Sequence, residues 1–291
     1  MILPVQTGQK GWQPLTPRGA AAFAKAPWAR LLLVQFVVAA LIAASVVWFL
    51  STNWFPSIRA AIQQLPTQGE IRSGRLAWAG DSPRVLSKGN FIAFVVDLNH
   101  SGQVRLPVHL QVEFGRDNIR VFSLFGYAEY GYPKETIIAF NRPELEPWWG
   151  AWAPPILWIG VAITIVGLMA AWTLLAAVYC LPVWLIGFFA NRDLNLRASW
   201  KLAGAALMPG ALLAAGAIVF YGLGMLDLMK FMATLSAHLV TGWIYSLVSP
   251  FFAPKLRSVT AVEGNPFVVP TSGRTEQGES RPGSSPPLPG A

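Results

Sequence analysis

Apolar residues crowd into four long blocks, residues 31–50, 156–190, 202–224 and 231–253, and the stretches between them follow a different pattern. A helix rises about 1.5 Å per residue, so about 20 apolar residues cross a hydrocarbon core of roughly 30 Å. The first, third and fourth blocks each fit one crossing, whereas the second is too long for one straight span. Pro182 lies inside it, and a proline removes a helical hydrogen bond and clashes with the preceding turn. The sequence therefore predicts a span ending near Cys180, a break at Pro182 and a bent interfacial segment over residues 183–190. A single strongly tilted helix is the alternative.

Between the first two blocks the period becomes two. Val104, Leu106, Val108, Leu110, Val112 and Phe114 alternate with Arg105, Pro107, His109, Gln111 and Glu113, the pattern of a half-buried strand. Residues 91–98 predict a second strand, joined to the first through the turn chemistry of Asn99, His100, Ser101 and Gly102. Another turn at residues 115–118 leads into a strand over 119–125, so an antiparallel meander is expected. Residues 71–78 and 136–140 add strands, residues 80–83 a turn, and residues 56–65 a short helix continuing from the membrane. Pro107 cannot donate to a ladder, which places its strand at an edge or a bulge. The predicted fold class is a membrane α-helical protein with four transmembrane helices plus a small extracytoplasmic antiparallel β domain.

Composition agrees: 54% of residues are hydrophobic and 12% charged, outside the soluble range. The net charge of +8 sits beside the spans. Residues 1–30 carry Lys10, Arg18, Lys25 and Arg30 with no acid, and Arg192, Arg197 and Lys201 outnumber Asp193. Residues 51–150 hold ten basic and nine acidic side chains, which leaves no footprint for nucleic acid. Basic loops are retained in the cytoplasm, so both termini are expected there and the β domain outside. The predicted organisation is a basic cytoplasmic segment at 1–29, a first span at 30–52, the β-rich domain at 53–150, a three-helix bundle with its Pro182 break at 151–253, and a disordered cytoplasmic tail at 254–291. The polar leader of about thirty residues, a run of about twenty apolar residues and the absence of a small-x-small site at residues 45–48 lead to the expectation of an uncleaved anchor rather than a signal peptide. Trp48, Trp54, Trp148, Trp149, Trp152 and Trp158 are expected to form an aromatic belt at the outer face. Cys180 is the sole cysteine, so no internal disulfide staples the domain.

Ala206, Gly210 and Ala214 recur every four residues, as do Ala211 and Ala215, and present a face small enough for close helix packing in lipid. The fourth block is the expected partner. Ala39/Ala43 and Ala40/Ala44 make a similar face on the first span, for docking on the bundle or for a homo-oligomer. Pro209 is expected to kink the third helix. No phosphate loop, His-Glu-x-x-His, Gly-x-Ser-x-Gly or paired cysteines occur, so no catalytic, cofactor-binding or metal residue is assigned. His100 and His109 read as solvated surface residues. His238 differs, because an ionisable residue inside a span is a functional candidate; with Ser236 and Thr234 it defines a candidate intramembrane polar site, most simply a helix-to-helix hydrogen bond. Asp227 and Lys230 are spaced for an ion pair closing a helical hairpin.

Residues 90–102, Asn-Phe-Ile-Ala-Phe-Val-Val-Asp-Leu-Asn-His-Ser-Gly, and residues 196–209, Leu-Arg-Ala-Ser-Trp-Lys-Leu-Ala-Gly-Ala-Ala-Leu-Met-Pro, carry a resemblance. In them and in its layout the chain resembles uncharacterised bacterial multi-pass membrane proteins with one N-terminal span, an extracytoplasmic β domain and a Yip-like C-terminal bundle. The first stretch is similar to their strand, Asp, turn, Gly hairpin, and the second to the inner loop entering a Pro-kinked span. The resemblance implies no catalytic residues. The expected function is a non-enzymatic inner-membrane protein whose outer domain binds a protein or envelope component while the bundle anchors it in the lipid bilayer. The alternative is a transporter-type or transport-accessory subunit working around His238.

Overall fold

The computed structural model describes residues 13–256. Four of its helices are long and apolar enough to cross a membrane: Trp28–Gln63, Arg142–Phe189, Leu196–Gly222 and Leu228–Phe252. A short helix α1 (Pro17–Ala22), capped by Thr16, precedes them. The first long rod is α2 (Trp28–Phe49), a π-helical turn at Leu50–Trp54 and α3 (Phe55–Gln63) in unbroken succession. The second is α4 (Arg142–Phe189), then come α5 (Leu196–Ala206) with α6 (Met208–Gly222), and finally α7 (Leu228–Val248).

Helix α4 corrects the expected break. Its 48 residues run through Pro147, Pro154, Pro155 and Pro182 without interruption. At about 1.5 Å per residue it is roughly 72 Å long, more than twice a hydrocarbon core. The surplus lies at the start. Asn141 caps the helix by accepting from the Glu144 N–H (3.1 Å), and the first turns belong to the sheet domain, where Leu145, Trp149 and Ala153 pack on Ile58, Ile62 and Phe55 of α3. The length that suggested a break is thus used to project beyond the apolar bundle.

Within the bundle, the α5–α6 segment is central: 61% of its most apolar window is buried, against 11% for α4 and for α7. Small side chains allow this. Ala203, Ala205, Ala206, Ala211 and Ala217 are almost fully buried, so neighbouring backbones come close. Leu207 separates α5 from α6, and Pro209 stands in the first turn of α6, where its missing N–H costs no hydrogen bond. Ala39 and Ala43 face inward, with Val38 and Ile42 packed near Ala211, Ala215 and Trp172. At the terminal end, Ala20, Phe23 and Ala26 pack on Leu31, Ala205 and Ala206. Lys201 Nζ donates to the Ala26 carbonyl (2.7 Å), and Lys25 pairs with Asp193 (3.2 Å). Part of the basic N-terminal segment is therefore folded against the bundle. The predicted disordered tail lies almost wholly outside the described residues.

Eight strands sit between α3 and α4: β1 (Gly69–Arg72), β2 (Arg75–Trp78), β3 (Arg84–Lys88), β4 (Ile92–Val96), β5 (Leu110–Phe114), β6 (Asn118–Ser123), β7 (Gly126–Gly131) and β8 (Ile138–Ala139). One sheet has the order β2-β1-β8 and the other β3-β4-β5-β6-β7. The expected strand over 71–78 is a hairpin turning at Ser73 and Gly74, both at positive φ. The expected meander is also corrected: β4 and β5 are parallel, in register from Ile92↔Leu110 to Val96↔Phe114. Parallel neighbours need a crossover of about a dozen residues, and residues 97–109 supply it. The strand expected over 104–114 therefore begins only at Leu110. Its former half, which contains the donor-less Pro107, forms the return of the crossover. Ile71, Leu76, Leu86, Val96, Tyr132 and Phe140 form the core with Ala61 and Leu65 of the α3 end.

Candidate functional sites

The crossover explains a reversal in β5. Alternation suggested an apolar buried face and a wet polar one, yet Gln111 and Glu113 are the buried residues, with Glu113 inaccessible. Residues 97–109 fold over that face and are tied down by it. Gln111 accepts from the Leu106 N–H (3.0 Å) and donates to the Val104 carbonyl (3.0 Å), which satisfies backbone groups that a strand would have paired. Glu113 accepts from His100 Nδ1 (2.6 Å), Arg105 Nη1 (2.8 Å) and Gln111 Nε2 (3.3 Å). The Arg105 guanidinium also lies 3.8 Å from the centre of the Phe122 ring. His100 Nε2 meets Asn118 Oδ1, and Asn118 Nδ2 donates to Glu129 (2.6 Å), itself paired with Arg120. His100 is thus a nearly buried strut, not the solvated turn residue expected. Asp97, also buried, accepts from Ser101 Oγ (2.8 Å) and the Gly102 N–H (3.3 Å). Burial alone would raise its pKa; bonds from the Ser101 side chain and from the backbone of Ser101, Gly102 and Asn99 outweigh it and leave the carboxyl below its ordinary value. This network joins loop to sheet and presents no free nucleophile or open ligand position.

The candidate site at His238 does not assemble. Thr234 Oγ1 donates to the Lys230 carbonyl (2.8 Å), Ser236 Oγ to the Met232 carbonyl (3.0 Å), and the His238 Nδ1 bonds the Leu235 carbonyl. Each partner lies in α7 itself, so the expected helix-to-helix bond is replaced by back-bonding within the helix, as hydroxyl side chains do when no neighbour is in reach. His238 does border a cavity of about 250 Å³ with Trp172, Tyr179, Ala211, Ala214 and Gly242. Ala206 and Gly210 are buried, and a Cβ on Gly210 would collide with the His238 carbonyl oxygen. Gly210 therefore sets the approach of α6 to α7. Asp227 caps α7 and pairs with Lys230 (3.0 Å).

His109 provides the link that the sequence concealed. Its ring stacks on Tyr221 of α6 (centroids 5.4 Å apart), Nδ1 bonds the Tyr221 hydroxyl, and Phe91 and Phe231 pack on the same tyrosine at 4.8 and 4.3 Å. Beside this cluster lies an apolar cavity of about 400 Å³. Val46, Phe49, Ile218 and Phe231 line it from the helices, and Leu124 and Phe125 from the β6–β7 turn. A lone aromatic or His within a polar-looking strand gave no hint of this junction; only the parallel crossover, which delivers residue 109 to the bundle end, creates it.

The last feature is an edge. All six residues of β7 are exposed, with Tyr127 and Tyr130 each 61% accessible and Phe125 at the preceding turn 81%. One side of β7 pairs with β6, and among the described residues no strand lies beside the other. The remaining edges differ: α3 packs on β3, the Leu76 N–H of β2 donates to the Arg116 carbonyl (2.7 Å), and β8 is two residues long. Among the described residues, no group of three or more His, Cys, Asp or Glu side chains is placed to hold a metal ion. Comparison with protein families, with curated proteins and with solved structures gave no match.

Proposed function

We propose that this protein is a non-enzymatic scaffold of the bacterial inner membrane, whose sheet domain faces away from the cytoplasm and binds an extended segment of a protein partner along β7. The observation that carries this reading is the open edge. A six-residue strand with one unpaired side is a template for another chain, and proteins ordinarily blunt such edges with lysine, proline or a covering loop. Here it carries Tyr127 and Tyr130, residue types that supply large contact area at interfaces. The placement of the membrane and of the cytoplasm rests on the four apolar helices and on the basic residues near the termini and at residues 192–201. A transporter subunit built around His238 is the weaker reading, since Thr234, Ser236 and His238 all bond their own helix.

The test is site-specific photocrosslinking from Ala128 and Gly131 in cells, the latter a position where an added side chain meets nothing within 4 Å. Adducts from both positions should map to one continuous segment of one partner, and Tyr127→Lys with Tyr130→Lys should abolish them and the rescue of a deletion strain at normal abundance. Full rescue by the double variant would contradict the proposal.

A further inference from the structure

The cavity between the bundle and the β6–β7 turn calls for an occupant other than the polypeptide proposed for β7. Its floor lies about one turn inside the ends of two helices, Ile218 being four residues from the end of α6 and Phe231 three into α7, with Val46 of the continuous α2–α3 rod beside them. One turn is about 5.4 Å, so the floor stands at the boundary between acyl chains and headgroups. The opposite wall is the β6–β7 turn, which brings Leu124 and Phe125 down beside these helices. Phe125 is 81% exposed, an unfavourable state for a phenylalanine in water and a favourable one at that boundary. The volume of about 400 Å³ falls within the range of small-molecule sites, about 300–1,000 Å³. The few polar atoms near the opening are spoken for in part, the His109 ring being bonded to the Tyr221 hydroxyl, and no charged side chain lines the space. The site therefore selects an apolar chain without demanding a charged headgroup.

We propose that this cavity holds one acyl chain of a bilayer lipid from the leaflet on the sheet side, clamped between α2, α6 and α7 by Leu124 and Phe125. Depth decides the occupant: acyl chains are the abundant apolar groups there, and a chain entering this space exchanges lipid neighbours for aromatic walls without leaving the apolar layer. The clamp also fixes the β6–β7 hairpin at the membrane surface, which sets the height at which β7 is presented.

The experiment uses the full chain in nanodiscs of phosphatidylcholine bearing a photoreactive diazirine near the carboxyl end of one acyl chain. Adducts are mapped by mass spectrometry and compared with those on Leu174 and Val178 of α4, which are 68% and 65% exposed. Labelling of the 123–125 turn and of Phe231 should exceed labelling of α4 several-fold. It should fall to the α4 level in Ile218→Trp, which fills the cavity, and in Phe125→Ala, which opens the clamp at an exposed position and leaves the core untouched. Labelling no higher than on α4, or labelling unchanged in Phe125→Ala, overturns the proposal. Protein-to-protein adducts replacing lipid adducts at the turn would overturn it in favour of a second copy of the chain.

Discussion

A side chain on Gly210 would collide with the backbone of α7, whereas one on Gly216, six residues further along the same helix, would meet nothing within 4 Å. The two glycines are indistinguishable by composition and opposite in consequence. Gly210→Leu should destabilise the bundle by about 1–3 kcal/mol or more through overpacking, and Gly216→Leu should be close to neutral; thermal unfolding of the purified protein in detergent separates them. Asp97 offers a second residue-level expectation. Because its pKa is lowered in the folded state, its contribution is complete above the ordinary carboxylate value near 4 and is lost as pH falls through the lowered value. The stability gap between the wild type and Asp97→Asn should therefore be full at neutral pH and close on acidification below about pH 4, and a gap that stays constant would contradict it. The sequence disclosed the small residues of α6 because they recur every four positions, and the Asp227–Lys230 pair because its members lie one turn apart. It hid the roles of His100, His109 and Glu113, whose partners are set by a crossover that no local pattern encodes. His238 drew notice as a rare ionisable residue in a span, and the same rarity said nothing of where its hydrogen bonds go.

Among the elements, the hydrophobic blocks marked all four long helices, since a run of about 20 apolar residues has few other uses. Helix ends were harder to read. Residues 142–150 were expected in the β-rich domain, yet Pro143 stands in the first turn after the Asn141 cap and the helix runs from Arg142 through its later prolines. The strands at residues 92–96 and 118–123 followed their apolar composition, while β3 and β7 escaped notice, β7 because all of its side chains are exposed and no face alternates. The strand over 104–109 was a false reading: its alternation is real, but Gln111 and Glu113 satisfy the loop that covers them, so polar rather than apolar residues became the buried set. The rods α3 and α4 hold the sheets between them, and Trp149 is the keystone, its ring 4.8 Å from that of Phe55 and 9% exposed. Trp149→Ala should cost roughly 3–5 kcal/mol, as large-to-small core substitutions do. It should melt the sheet domain before the bundle, which near-ultraviolet circular dichroism and differential scanning would show as a split transition. A single transition at the wild-type temperature would remove Trp149 from this role.

At the scale of the molecule, the structure is a four-helix bundle with two rods that overrun it at one end and carry a pair of small sheets, while the chain segment before α2 packs on the other end. The aromatic junction of Phe49, Phe91, His109 and Tyr221 sits where sheets and bundle meet, so the β7 edge and the apolar cavity beside the junction share the β6–β7 hairpin. The scaffold proposed here requires that the sheets lie outside the cytoplasm and residue 255 inside it. Labelling of single cysteines in intact cells measures this directly, in a chain whose only natural cysteine has been removed as Cys180→Ala. A membrane-impermeant maleimide should modify Gly131→Cys at the end of β7 without permeabilisation and Lys255→Cys only after it. Modification of Lys255→Cys in intact cells, with Gly131→Cys protected until the membrane is opened, would contradict the account.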